Sequence, residues 1–186
     1  RDRVGTDIVV GMRISGDELQ AGGTDPAEIL EACAAPGNEG GLDYLNVIAG
    51  GMMQLDGSIH IVPPMAVEHA YLAPLAHAVK QRVPVPVFVA GRINQPQQAE
   101  EILKAGQADM IGMTRAQIAD PQMANKARDG RMDDIRACIA CNQACIGHMQ
   151  MGIGISCIQR PETGREQEFD VKTPAATPRT VLVAGG

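Results

Sequence analysis

The chain has 186 residues, 16 Lys+Arg against 22 Asp+Glu, and a formal net charge of −6. At 45% hydrophobic it is too apolar for a disordered chain, yet no run approaches the ~18 apolar residues of a membrane-spanning helix. An acidic balance with two Tyr, two Phe and no Trp excludes the basic stripe and stacking aromatics of a nucleic-acid binder.

Residue 1 is Arg and no charged-then-apolar leader follows, so the ends read as cut. Ile8–Ile14 (IVVGMRI) reads as a β-branched strand closed by Ser15-Gly16. Asp25-Pro26 supplies an N-cap and a proline at the first helical position. That helix carries Ile29, Leu30 and Cys33 and is expected to stop at Pro36-Gly37. Tyr44–Ala49 is the second strand, followed by a Gly- and Met-rich loop from Gly50 to Pro64. Ala66–Arg82 reads as a helix with a kink at Pro74. Val85–Ala90 is a third strand ending at Gly91-Arg92. Pro96–Ala105 is a helix capped by Asn94 or Gln95 and stopped by Gly106. Ala108–Met113 is a fourth strand ending at Thr114-Arg115, and Asp120-Pro121 opens a last helix that Gly130 ends. Four strand–helix units predict an α/β fold with a parallel sheet, and near-continuous apolar strands predict that both faces are covered.

Residues 138–160 break this pattern. Residues 161–179, with three prolines, read as a linker, and Thr180–Gly186 (TVLVAGG) reads as a buried strand ending in two glycines. A dinucleotide-binding β-α-β unit begins this way. Four of the five cysteines fall in Cys138-x2-Cys141-x3-Cys145-x11-Cys157. Such crowding suits a metal or cluster site in a reducing compartment and predicts a cytoplasmic protein. Three thiolates from one loop and a fourth from elsewhere suit a cubane iron–sulfur cluster; a structural zinc or plain buried thiols are the alternatives. Cys33, on an apolar helix face, is expected in the core.

Gly91-Arg92 and Thr114-Arg115 end consecutive strands. Glycine lets backbone N–H groups approach a phosphate and arginine adds a charged fork; two solvated arginines are the plainer reading. Arg13 lies inside an apolar strand, where it needs either a structural ion pair or an anionic ring of a cofactor. His60, in the loop after the second strand, is a weak candidate for a substrate role. Met52, Met53, Met149 and Met151 read as packing residues.

CIACNQACIGHMQMGIGISC at 138–157 resembles the cluster loop of the flavin- and iron–sulfur-containing branch of the old yellow enzyme family. That branch includes 2,4-dienoyl-CoA reductase, trimethylamine dehydrogenase and demethylases of N-methylated amines and amino acids. VGMRISG, GRIN at 91–94 and MTRAQIADP at 113–121 fall in the family's order and spacing, and the likeness covers about residues 5–165. It implies an FMN-bearing (β/α)8 barrel, of which residues 1–137 carry strands five to eight. Residues 138–160 would then form the cluster loop, 161–179 the linker and 180–186 the first strand of a nucleotide-binding domain for FAD or NAD(P)H.

The resemblance implies that Arg13 contacts the flavin's pyrimidine end. The backbone of Gly91 and Thr114, with Arg92 and Arg115, would hold the FMN phosphate. Cys138, Cys141, Cys145 and Cys157 would bind a [4Fe-4S] cluster. Thr114 stands where relatives usually have Gly or Ala. The family's catalytic acid and base positions fall upstream of residue 1, so the catalytic residue here is unassigned.

A whole barrel needs ~250 residues, so this length is expected to leave two sheet edges open and to aggregate. A sharp thermal transition with monomeric behaviour would count against that. The implied substrate is a small molecule, either an activated C=C compound or an N-methylated amine, with some likeness of the Gly50–Pro64 loop to the demethylases. An electron-transfer partner and a homo-oligomer are both compatible. The competing class is a non-catalytic phosphate-binding α/β module with a zinc knuckle, which would be colourless.

Overall fold

The computed structural model describes residues 3–169 and 174–184. Four strands, β1 (Gly11–Ser15), β2 (Tyr44–Ile48), β3 (Val87–Ala90) and β4 (Met110–Gly112), form one parallel sheet in the order β1-β2-β3-β4. Each strand pairs with the next in sequence: Arg13 opposite Asn46, Asn46 opposite Phe88, and Phe88 opposite Met110. Parallel neighbours need a crossover at every step, so all four C-terminal ends lie along one edge. That edge carries the site. Among the described residues β1 and β4 each have one open edge, and no helix is long and apolar enough to cross a membrane.

The core lies on one face of the sheet. Leu45, Val47, Val87 and Val89 are fully buried there against Cys33 of α1 (Pro26–Asn38) and Ala76 and Val79 of α3 (Ala73–Lys80). Burial pushes the Cys33 thiol up, as befits a core residue. The other face carries Arg13, Tyr44, Asn46 and Phe88 and is only partly covered. This corrects the expectation of two covered faces, because alternate positions on these strands are polar, aromatic or small. Tyr44 stacks on Phe88 at 4.6 Å there. Gly11 is required beside it, since a Cβ would sit 2.0 Å from the Tyr44 ring. Ile102 of α4 (Pro96–Lys104) closes the core at 3% exposure. Ile102→Val is expected to cost about 1 kcal/mol in urea unfolding.

Several boundaries differ from expectation for local reasons. Asp25 caps α1 as predicted, Oδ1 accepting from Ala27 N–H at 2.7 Å. The helix nevertheless continues through Pro36 to Asn38, because Gly37 packs against Val83 and Leu45 where a side chain would crowd. A short α2 (Leu55–Ser58) stands within the Gly50–Pro64 loop. Pro74 lies in the first turn of α3 rather than kinking a longer helix; a first-turn N–H has no helical partner to lose. The helix expected after Asp120-Pro121 is α6 (Met123–Arg128), and a further helix that the pattern did not show, α5 (Thr114–Ala119), precedes extended Asp120.

The cysteine region adds α7 (Ile146–Gln150), and α8 (Glu166–Phe169) follows it. Residues 161–169 are not a bare linker: Thr163 is buried, and its hydroxyl donates to the Ile118 carbonyl at 3.2 Å. Thr180–Ala184 is exposed, with Leu182 at 92%, and pairs with no strand among the described residues. The buried strand expected there is not formed here, since an apolar run is buried only when strands flank it. Gly185 and Gly186 lie outside the described residues.

Candidate cofactor site

At the C-terminal edge of the sheet a cavity of about 320 Å³ gathers Arg13, His60, Gly91, Arg92, Thr114 and Arg115 with Cys138 and Cys145. Every strand-end residue singled out from sequence reaches this one space. Their roles within it differ.

Arg13 is exposed on β1 and makes no ion pair among the described residues. The expectation of a buried arginine with a structural partner is therefore corrected: the open face of the sheet leaves its guanidinium to the cavity. Arg92 is the buried one, at 7% exposure, with a left-handed backbone at φ +53°. Its Nε donates to the Val67 carbonyl at 3.0 Å and its Nη2 to His69 Nε2 at 3.3 Å and toward the Met65 carbonyl at 3.5 Å. Its own carbonyl accepts from Ala70 N–H at 3.2 Å and from His69 Nδ1 at 3.1 Å. Arg92 thus straps the Met65–Ala70 arc to the end of β3, and burial, then Arg115 nearby, lowers its pKa. Gly91 permits this packing, because a Cβ there would meet Leu72 at 2.7 Å and Tyr71 at 3.5 Å.

Arg115 makes a different connection. Its Nη1 donates to the Pro63 carbonyl at 2.8 Å and to Asn142 Oδ1 at 2.7 Å. Asn142 Nδ2 in turn donates to the Val62 carbonyl at 2.8 Å. Asn94 Nδ2 donates to the Cys138 carbonyl, while Asn94 Oδ1 is buried without a partner among the described residues. Asn94 and Asn142 therefore tie the cysteine loop to the sheet, and sequence reasoning missed both roles. Asn142 had a signal: it directly follows Cys141, and asparagine tolerates the left-handed turn found there at φ +57°.

The four cysteines, Cys138, Cys141, Cys145 and Cys157, are half-buried and free, and they line one small cavity beside the large one. Ala140, left-handed at φ +52°, turns its N–H onto Cys138 Sγ at 3.3 Å. Burial raises the Cys138 pKa, the Ala140 N–H and Arg115 oppose this, and Cys145 and Cys157 raise it further. Among the described residues no three His, Cys, Asp or Glu side chains converge as the ligands of a single ion would. The cysteines ring a space instead.

The loop's entry is anchored by Asp120, which is buried. Its Oδ2 accepts from Lys126 Nζ at 2.6 Å and from Arg136 N–H at 3.0 Å, and its Oδ1 from Gln122 N–H at 3.0 Å. Burial alone would raise its pKa; these donors more than offset it and hold the carboxyl below the usual range. On the opposite rim, His60 Nδ1 lies 3.2 Å from the Tyr71 hydroxyl.

The sequence pattern of the NADH:flavin oxidoreductase / NADH oxidase family matches residues 1–134. The chain belongs to that family. Membership implies flavin binding. This family member is similar along its whole length to a metal reductase of Desulforamulus reducens, 39% identical over 186 residues, which cover 27% of that protein. It is 35% identical over 189 residues to N,N-dimethylglycine/sarcosine dehydrogenase of Chromohalobacter salexigens, again 27% of the relative. Among solved structures, 2-naphthoyl-CoA reductase superimposes with a TM-score of 0.85 at 28% identity, over 95% of this chain and 26% of that one. The chain thus spans about a quarter of the length of these relatives.

Proposed function

We propose that this chain is the flavin- and cluster-bearing part of an FMN- and [4Fe-4S]-dependent oxidoreductase, carrying strands five to eight of a (β/α)8 barrel. One observation carries the reading. A single cavity is lined by Gly91, Thr114 and Arg115 together with Cys138 and Cys145. The chemistry of the wall fits FMN. It offers an uncommitted arginine, strand-end backbone able to approach a phosphate, and a buried acceptor, Asn94 Oδ1, lacking a donor.

In this reading the backbone of Gly91 and Thr114 and the Arg115 fork hold the phosphate. Arg92 contributes through its backbone, because its guanidinium is committed to carbonyls. Arg13 supplies positive charge at the pyrimidine end. Cys138, Cys141, Cys145 and Cys157 hold the cluster. When bound, the flavin supplies two-electron exchange with a substrate and the cluster supplies single-electron exchange with a second carrier. The chain's own contribution is positioning. Arg92 fixes one cavity wall, Ala140 N–H favours a thiolate at Cys138, and Asn142 couples Arg115 to the cysteine loop.

Thr180–Gly186 begins a following nucleotide-binding domain for FAD or NAD(P)H in this proposal, on the strength of its TVLVAGG pattern. The substrate is a small molecule, an N-methylated amine or an activated C=C compound; relatives named for both chemistries support keeping both.

The test is the iron, acid-labile sulfide, zinc and flavin content of anaerobically purified protein. About four irons and four sulfides per chain with FMN is the expected result. One zinc without sulfide would overturn the cluster and leave a structural knuckle.

A further inference from the structure

The His60–Tyr71 pair is not used by the cofactor reading. His60 follows α2, its N–H donating to the Gly57 carbonyl at 3.1 Å. Tyr71 lies two residues before α3, beside the arc that Arg92 straps to β3, with its ring against Gly91. Both residues are thus fixed by backbone contacts from different loops. Their rings lie 5.5 Å apart at 44°.

Two acceptors face the Tyr71 hydroxyl: His60 Nδ1 at 3.2 Å and the His60 carbonyl at 3.4 Å. A phenol has one proton to give. If it goes to Nδ1, the carbonyl receives nothing from Tyr71. If it goes to the carbonyl, Nδ1 carries its own proton and donates to the phenol oxygen, so both contacts become hydrogen bonds. The second arrangement satisfies more groups. Tyr71 keeps its proton throughout the working range, because burial pushes its pKa up to about 12 against a small opposing pull from Arg115. His60 lines the large cavity, and its Nε2 has no partner among the described residues.

We infer that Tyr71 is a positioning residue that holds His60 in the Nδ1–H tautomer, so that Nε2 presents a lone pair to the cavity and selects a ligand carrying an N–H or ammonium donor. An amine meets that requirement; a carbonyl-activated C=C compound needs the opposite tautomer, with a proton on Nε2. The inference deepens the proposed function and rests on the cavity being the ligand site.

Long-range ¹H–¹⁵N NMR on the full chain, labelled at histidine, reads the tautomer directly. His60→Gln identifies the resonance among the four histidines. Nδ1 is expected protonated and Nε2 bare in the wild-type protein, with Tyr71→Phe shifting the ring to predominantly Nε2–H. A wild-type ring already protonated at Nε2, or a tautomer unchanged in Tyr71→Phe, would overturn the inference. Dimethylammonium is then expected to perturb the Nε2 signal while methyl crotonate leaves it in place; a response to methyl crotonate alone would overturn the donor class. None of these readings depends on iron or flavin content, so failure here and failure of the cofactor reading are told apart.

Discussion

Asp120→Ala is expected to destabilise the protein by about 3 kcal/mol, read as a lowered urea midpoint at unchanged slope. The carboxylate is 6% exposed and satisfies an ammonium and two backbone N–H groups. Removing it strands the Arg136 and Gln122 N–H groups. Lys126 keeps part of its satisfaction, since its Nζ also donates to the Asp134 carbonyl at 2.8 Å. That remaining bond holds the expected loss to the lower end of the range for a broken buried pair. Arg136 lies two residues before Cys138, so, with the proposed cluster in place, the same variant should also lose its iron more readily on gel filtration. The pH dependence has a definite sign. Asp120 has a folded pKa below its unfolded one, so its stabilisation is fully present above about pH 4 and fades as pH falls through the folded value. The gap between wild type and variant should therefore narrow in acid. A gap of equal size at pH 3 and pH 7 would contradict the assignment.

The second large effect separates two arginines that look alike in sequence. Arg115→Leu is expected to weaken FMN binding about 100-fold, roughly 2.7 kcal/mol, in a flavin-fluorescence titration. The substitution removes the proposed phosphate fork together with the bonds to Pro63 and Asn142. Arg92→Leu should instead act on stability. Its guanidinium is bound to Val67, Met65 and His69, so its loss takes the donor from the part-buried Val67 carbonyl and frees the Met65–Ala70 arc. The melting temperature should fall more than for Arg115→Leu, with a smaller change in flavin affinity. Equal flavin losses in both variants would return Arg92 to the phosphate.

That contrast also shows what a linear reading reaches. Strand–helix alternation gave the parallel sheet because crossover topology is written in local patterns: Asp25 caps α1 with Pro26 at its first position, and Gly106 follows the end of α4 with φ +66°. The strand-end residues reached one cavity because parallel strands bring their C-terminal ends to one edge. Side-chain direction was not legible. Arg13 and Arg92 exchanged the expected burial, because exposure depends on which sheet face the helices cover and on a left-handed turn at Arg92. The tertiary contacts of Asn94, Asp120, Asn142 and Tyr71 are not legible in the sequence, because their partners are distant or common backbone groups. Thr180–Ala184 carried a strand pattern whose burial depends on neighbours that the pattern alone does not supply.

The bonds that seat the cysteine loop have a consequence for the order of assembly. Asn94 and Cys138 are 44 residues apart, Pro63 and Arg115 52, and Val62 and Asn142 80. Neighbouring strands pair over shorter spans than the last two of these, as between Arg13 and Asn46 or Asn46 and Phe88. Closing long spans costs chain entropy that only an already formed framework can recover, so the sheet should form first and the thiols should be gathered last. On that schedule a newly made chain passes through a stage with its strands aligned and four cysteines still reachable by solvent. Iron delivered during that interval would lock the loop down, whereas oxidant arriving first would find the same sulfurs unprotected.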